Sequence, residues 1–190
     1  LERLCASGRI RGESGLYILG DAPTIIVEHR IQRHAQSAQK WREMLRRAWW
    51  FQAVPFVRMV SAGGSLAMGS SSPQSDWDMF VIVASGRLYT ARCGLLVSAW
   101  LLGRLRTQGM RIAPDRFCFN HLITTDGLSL RHRSLYTAHA IAWLVPFYDP
   151  WKYAVRFGQA NEWITRYSTQ SLGEHFVRRS FQLSRFLGFV

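Results

Sequence analysis

The chain has 190 residues and a formal charge of +12, and 48% of it is apolar, with eight Trp and eleven Phe. That length is room for one domain, or for a compact domain with an appended subdomain, and the aromatic content excludes a disordered chain. The charge fits an anionic partner, whether nucleotide, nucleic acid or anionic lipid, although basic residues such as Arg42, Arg46, Arg104, Arg131 and Arg178 are scattered as on a broadly solvated surface.

Cys5, Cys93 and Cys118 are odd in number and form no CxxC pair, which argues against a disulfide framework and a zinc site and for a reducing cytoplasm. The longest apolar stretch, Leu95 to Leu102, is too short to span a bilayer, and no leader pattern opens the chain. The sequence starts at Leu1 in patterned sequence, as expected of a piece of a longer protein.

Leu1-Glu2-Arg3-Leu4 reads as the last turn of a helix, and Gly8 to Gly20 as two short β-prone pieces around a Gly/Ser turn, a hairpin. Helix end plus basic hairpin is similar to the wing of a winged-helix domain; an N-terminal hairpin packed on the following domain is the alternative. Ala22 to Val27 reads as a further short strand, and residues 1–27 form an N-terminal region of their own. From Glu28 to Trp50 the period becomes helical. Ile31, Ala35, Ala38, Trp41, Leu45 and Trp49 make an apolar stripe, with Arg30, Arg33, Lys40, Arg42, Arg46 and Arg47 on the remaining faces. Pro55 ends it.

The next stretch, Val57 to Val83, carries the chemistry. An apolar run stops at Gly63-Gly64-Ser65, passes through a short Ser-Leu-Ala-Met-Gly segment and a Ser/Pro/Gln turn, and places Asp76 and Asp78 at the mouth of Met79-Phe80-Val81-Ile82-Val83. This is strand, glycine turn, one or two helical turns, loop, strand. Alternation along a strand projects Asp76 and Asp78 from one face and Trp77 from the other. Two adjacent carboxylates repel, an arrangement that suits a divalent cation between them.

Gly64-Ser65, Gly69 and Ser75-Asp76-Trp77-Asp78, with a strand on either side, resemble the signature of the nucleotidyltransferase superfamily of DNA polymerase beta, in particular its small bacterial members. The resemblance implies transfer of a nucleoside monophosphate from NTP to an acceptor hydroxyl, with pyrophosphate leaving. On it, Gly64, Ser65 and Ser75 bind the nucleotide, glycine allowing backbone amides to approach phosphate closely. Asp76 and Asp78 are the catalytic metal ligands, expected to hold two magnesium ions about 3.5–4 Å apart.

Beyond Val83, Arg87 to Leu105 reads as a helix apolar over much of its circumference, expected to be packed across the sheet and ended by Gln108-Gly109. Arg116 to Thr124 is the third strand. Active superfamily members usually carry a third Asp or Glu here, facing the first two. This strand offers Asn120 near its middle and, by alternation, His121 on the opposite face, with Asp115 before it and Asp126 after it. An amide can coordinate a hard cation but brings no charge and cannot act as a base. Asn120 is therefore the third candidate catalytic residue, and nucleophile activation the weaker part of the resemblance.

Ser134 to Leu144 reads as a helix capped by Ser134 and stopped by Pro146, Trp151 to Tyr167 as another, and Leu172 to Val190 as a basic, aromatic segment at helical spacing. Arg133 and His139 approach the Arg-x4–6-His spacing of HEPN ribonucleases, but His139 lies in an apolar run that suits a core or capping histidine.

The expected architecture is an α/β (α+β) fold. It has a small mixed sheet with helices mainly on one face (the nucleotidyltransferase domain, 28–126) and a helical C-terminal subdomain (127–190). Two functions follow: a magnesium-dependent nucleotidyltransferase with an unidentified acceptor, or a catalytically weakened nucleotide-binding or regulatory module with a nucleic-acid or toxin-like partner. A third carboxylate near Asp76 and Asp78 discriminates between them.

Overall fold

In the computed structural model, which describes residues 2–107 and 109–168, a short helix α1 (Glu2–Ala6) leads into an antiparallel hairpin of β1 (Ile10–Glu13) and β2 (Leu16–Leu19). Ser14 and Gly15 turn it with positive φ, the backbone that tight hairpins need. Arg11 ties the hairpin to the segment that leads into the next helix, donating to the carbonyls of Gly20 and Ala22 and to the Thr24 hydroxyl. Helix α2 runs over Ile25–Ala48, a 3₁₀ turn over Trp49–Ala53, and strand β3 over Val57–Ala62. The one-turn helix α3 (Gly64–Ala67), strand β4 (Trp77–Val83), helix α4 (Leu88–Leu101) and strand β5 (Phe117–Thr124) come next. Helix α5 (Leu135–Ala142), strand β6 (Val145–Tyr148), helix α6 (Tyr153–Ala160) and a second 3₁₀ turn (Glu162–Arg166) complete the described chain. Ser134 caps α5 by accepting from the Thr137 N–H.

The main sheet has the order β5-β4-β3-β6, with β3 antiparallel to both neighbours and β4 parallel to β5. Helix α4 makes the crossover that the parallel pair requires. Both faces are covered. Trp77, Met79, Val81 and Val83 of β4, with Phe117 and Phe119 of β5, pack with Met44, Ala48 and Phe51 of the α2 region and with Ala91, Leu95 and Ala99 of α4. Met59, Phe80 and Ile82 point the other way into a core made with Ala138, Ile141, Phe157, Trp163 and Ile164 of the C-terminal elements. The mixed α/β class expected from the sequence is thus the class observed, with the C-terminal helices covering the second face.

Several elements differ from the sequence reading. Residues 22–27 are not a strand. Pro23 and Thr24 start α2 at Ile25, and the Ile-Ile-Val run is absorbed into the long helix, with Val27 buried and Ile25 and Ile26 exposed. The inward stripe of α2 is Ser37, Lys40, Met44 and Ala48, and Ile31 stays exposed. Helix α4 ends at Leu101, where Gly103 takes φ +64. It buries Ala91, Leu95 and Ala99 but leaves Val97, Trp100 and Leu101 in solvent, so it lies along the sheet rather than within it. Pro146 does not end a helix. It sits in β6, an edge strand missed in the sequence, where a residue without N–H is tolerated. Trp151 to Tyr167 is split in two at Asn161, whose buried amide bonds Leu128 O, Phe157 O, Leu130 N and the Trp163 indole. The segment Leu172 to Val190 lies outside the described residues. Among the described residues, no helix is long and apolar enough to cross a membrane.

Candidate functional site

The site lies where β3 ends and β4 and β5 begin. Because β4 and β5 are parallel, their first residues meet at one edge, with Asp78 opposite Cys118. The Gly63 N–H donates to the Asp78 carbonyl at 2.9 Å, which holds the turn after β3 against the start of β4. Gly64 then takes φ +58, and a Cβ built there would collide with Oδ2 of Asp78. Both facts require glycine at this position: the backbone is left-handed, and the carboxylate lies directly over it.

Asp76, Asp78 and Cys118 each bring one ligand atom within 4.8 Å of the others. The two acids converge as alternation predicted, with Trp77 buried on the opposite side. Asn120 joins them: Nδ2 donates to Asp78 Oδ1 at 2.7 Å, while Oδ1 accepts from the Cys118 thiol at 2.8 Å. Arg106 pairs with Asp76 through Nη1 and also approaches Cys118 Sγ at 3.7 Å.

Burial, and then the neighbouring Asp76 charge, push the Asp78 carboxyl above its ordinary range, partly offset by Arg106 and His121. Burial and the two acids likewise raise the Cys118 thiol, with Arg106 opposing. Arg106 is held still more firmly protonated by its bond to Asp76. The Cys118 thiol donates to Asn120 and stands in the same cluster as the two carboxylates. The groups that could hold a cation are the Asp76 and Asp78 carboxylates with the Cys118 sulfur beside them.

No third carboxylate joins the cluster among the described residues. Asp115 is engaged elsewhere, in a 2.6 Å ion pair with Lys40, and Asp126 is exposed beyond the end of β5, held low by hydrogen bonds from Thr124 and Ser85. His121 does not lie on the face opposite Asn120. The ladder shifts register between Asp78/Cys118 and Phe80/His121, so β5 carries one extra residue, and Asn120 and His121 both stand on the Asp78 side. Leu122 and Ile123 then resume alternation into the two cores.

Lys40, read in the sequence as solvated, is buried. Its Nζ donates to Pro73 O at 3.2 Å, to Ser75 O at 3.0 Å and to Asp115, clamping the loop that delivers Asp76. One turn before it, Ser37 Oγ accepts from Ser71 N, and next to it the Trp41 indole donates to Leu66 O. Ser37, Lys40 and Trp41 share a helical face, so α2 is the frame on which the site loops hang. Ser75 uses its hydroxyl to accept from Ser72 N and close that loop, while Ser65 stands half-exposed at the turn. His139 packs edge-on to Trp143 and Arg133 is exposed.

Sequence reasoning missed Cys118, Arg106 and Lys40. Alternation from Asn120 would have found Cys118, two residues earlier on the same face. Arg106 lies in an irregular segment after α4, with no periodic signal. No family model matches this chain, and neither does any curated protein.

Proposed function

We propose that the chain is a nucleotidyltransferase of the DNA polymerase beta type, binding a nucleoside triphosphate with a divalent cation and passing its nucleoside monophosphate to an acceptor hydroxyl. One observation carries this reading: Asp76 and Asp78 converge beside a turn in which Gly64 leaves no room for any side chain against the Asp78 carboxylate. Asp76 and Asp78 would hold magnesium, which supplies charge stabilisation for the attacking and leaving oxygens. Gly64 and Ser65 would meet the phosphates, and Arg106 would add a second positive group for the departing pyrophosphate.

A second reading is favoured by Asn120 and Cys118, which occupy the strand where a third carboxylate would activate the acceptor. On it, the site holds a nucleotide without turning it over. Incubation with each radiolabelled NTP and magnesium separates the two, with Asp76→Asn and Asp78→Asn as controls. Label transfer lost in both variants supports the enzyme. Magnesium-dependent binding without transfer supports the second reading, and absence of binding overturns both. If the missing acid limits the rate, Asn120→Asp raises transfer.

A further inference from the structure

A cavity of about 350 Å³ lies at the other end of the α3 turn, between α2, residues 66–69 and Trp143. It is within the range of small-molecule sites, roughly 300–1,000 Å³. Arg30 and His34 line it and no acidic residue does. Arg30 donates one N–H to Met68 O at 3.3 Å; a guanidinium has five, in a planar fork that matches an oxyanion. The His34 ring lies against the bare backbone of Gly69, where a Cβ would come within 3.2 Å of its Cδ2.

Two indoles, Trp41 and Trp143, complete the lining. Trp41 donates its ring N–H to Leu66 O at 3.1 Å, and Trp143 packs edge-on to His139 at 6.2 Å. Arg30 and Trp41 help cap the last carbonyls of α3; one N–H of Arg30 does that, leaving the rest of the fork for a ligand, while Trp41 lines the cavity with an edge of the core. Aromatic surface beside a guanidinium with spare donors selects a flat ring that bears an anion.

We propose that this pocket binds a nucleoside monophosphate group, a heterocycle carrying one phosphate, without a divalent cation. The proposal does not rest on the nucleotidyltransferase reading. Neither Asp76 nor Asp78 lines the cavity. The same chemistry is offered by a free nucleotide and by the phosphorylated end of an oligonucleotide.

The test titrates the full chain in EDTA with AMP, GMP, CMP and UMP, with a 5′-phosphorylated tetranucleotide and with inorganic phosphate, read by tryptophan fluorescence and equilibrium dialysis. Saturable binding of a monophosphate or of the oligonucleotide is expected, and the tighter of the two names the source. Arg30→Gln and Trp143→Ala should each weaken it about tenfold or more, or about 1.4 kcal/mol, while Asp78→Asn leaves it unchanged. Arg30 is exposed, so its variant decides the matter even if Trp143→Ala fails to fold. Absence of saturable binding, binding indifferent to Arg30→Gln, inorganic phosphate binding as tightly as the nucleotides, or loss in Asp78→Asn would each overturn the proposal. The last outcome would place the nucleotide at the carboxylate pair instead. Magnesium-dependent NTP binding can fail without touching this result, because the two measurements use different residues and different metal conditions.

Discussion

Replacing Lys40 with Met tests whether α2 holds the site loop by charge or merely by packing. Met fills much of the same volume but leaves Asp115 and the Pro73 carbonyl without their cationic donor, and takes one donor from Ser75 O. Breaking a buried ion pair by removing one partner costs about 3–5 kcal/mol. Asp115 keeps 28% side-chain exposure against 9% for Lys40, so water replaces part of the loss and a cost of about 2–3 kcal/mol is expected. At ~2–4 °C per kcal/mol for a chain of this size, the melting temperature should fall by about 4–12 °C. Urea and thermal unfolding followed by circular dichroism measure it, and a double-mutant cycle with Asp115→Asn should return a coupling of about 1–2 kcal/mol. Because Ser75 precedes Asp76, cation affinity should fall as well, and Lys40→Arg should not restore it, since a planar fork cannot address three acceptors set around one ammonium. A Lys40→Met protein within about 0.5 kcal/mol of wild type, the range of ordinary surface substitutions, would refute the clamp.

Gly64→Ala should retain the fold at a cost of about 1–2 kcal/mol for the left-handed backbone. It should lose manganese or magnesium–nucleotide binding as the Asp78 carboxylate is displaced, measured by calorimetry on the folded variant. Asn161→Ala strips four partners from one buried amide and should destabilise by about 2–4 kcal/mol, read as a lower urea midpoint at unchanged slope. Asp149 accepts from the N–H groups of Tyr153 and Ala154, yet burial holds its carboxyl above the ordinary 3.8. Its folded value exceeds its unfolded one, so its contribution to stability falls as pH rises from 3.8 through the raised value and is flat above it. The difference between wild type and Asp149→Asn across acidic pH should show that slope, and a difference that grows with the opposite sign would contradict it.

The motif between Val57 and Val83 was legible because each of its parts answers a local rule: an apolar run, a glycine turn, paired acids at the mouth of a strand. Asp76, Asp78, Gly64 and Asn120 accordingly meet where expected. The inward face of α2 was not legible, because hydropathy assigns Ser37 and Lys40 to water, whereas the loop they hold supplies polar partners that only the tertiary fold brings near. Strand β6 was hidden by Pro146, since an edge position cannot be told from a helix stop until the sheet order is known. His121 was misplaced because a single extra residue in β5 leaves no mark on composition.

That extra residue separates two jobs along one strand. Downstream of it, Leu122 and Ile123 keep step with Val81 and Ile82; at the bulge, Asn120 and His121 face solvent. A slip of one position would turn everything beyond it inside out. The bulge works as an expansion joint: it absorbs one residue at the polar rim, so that the oily half of the strand stays in frame with its neighbour.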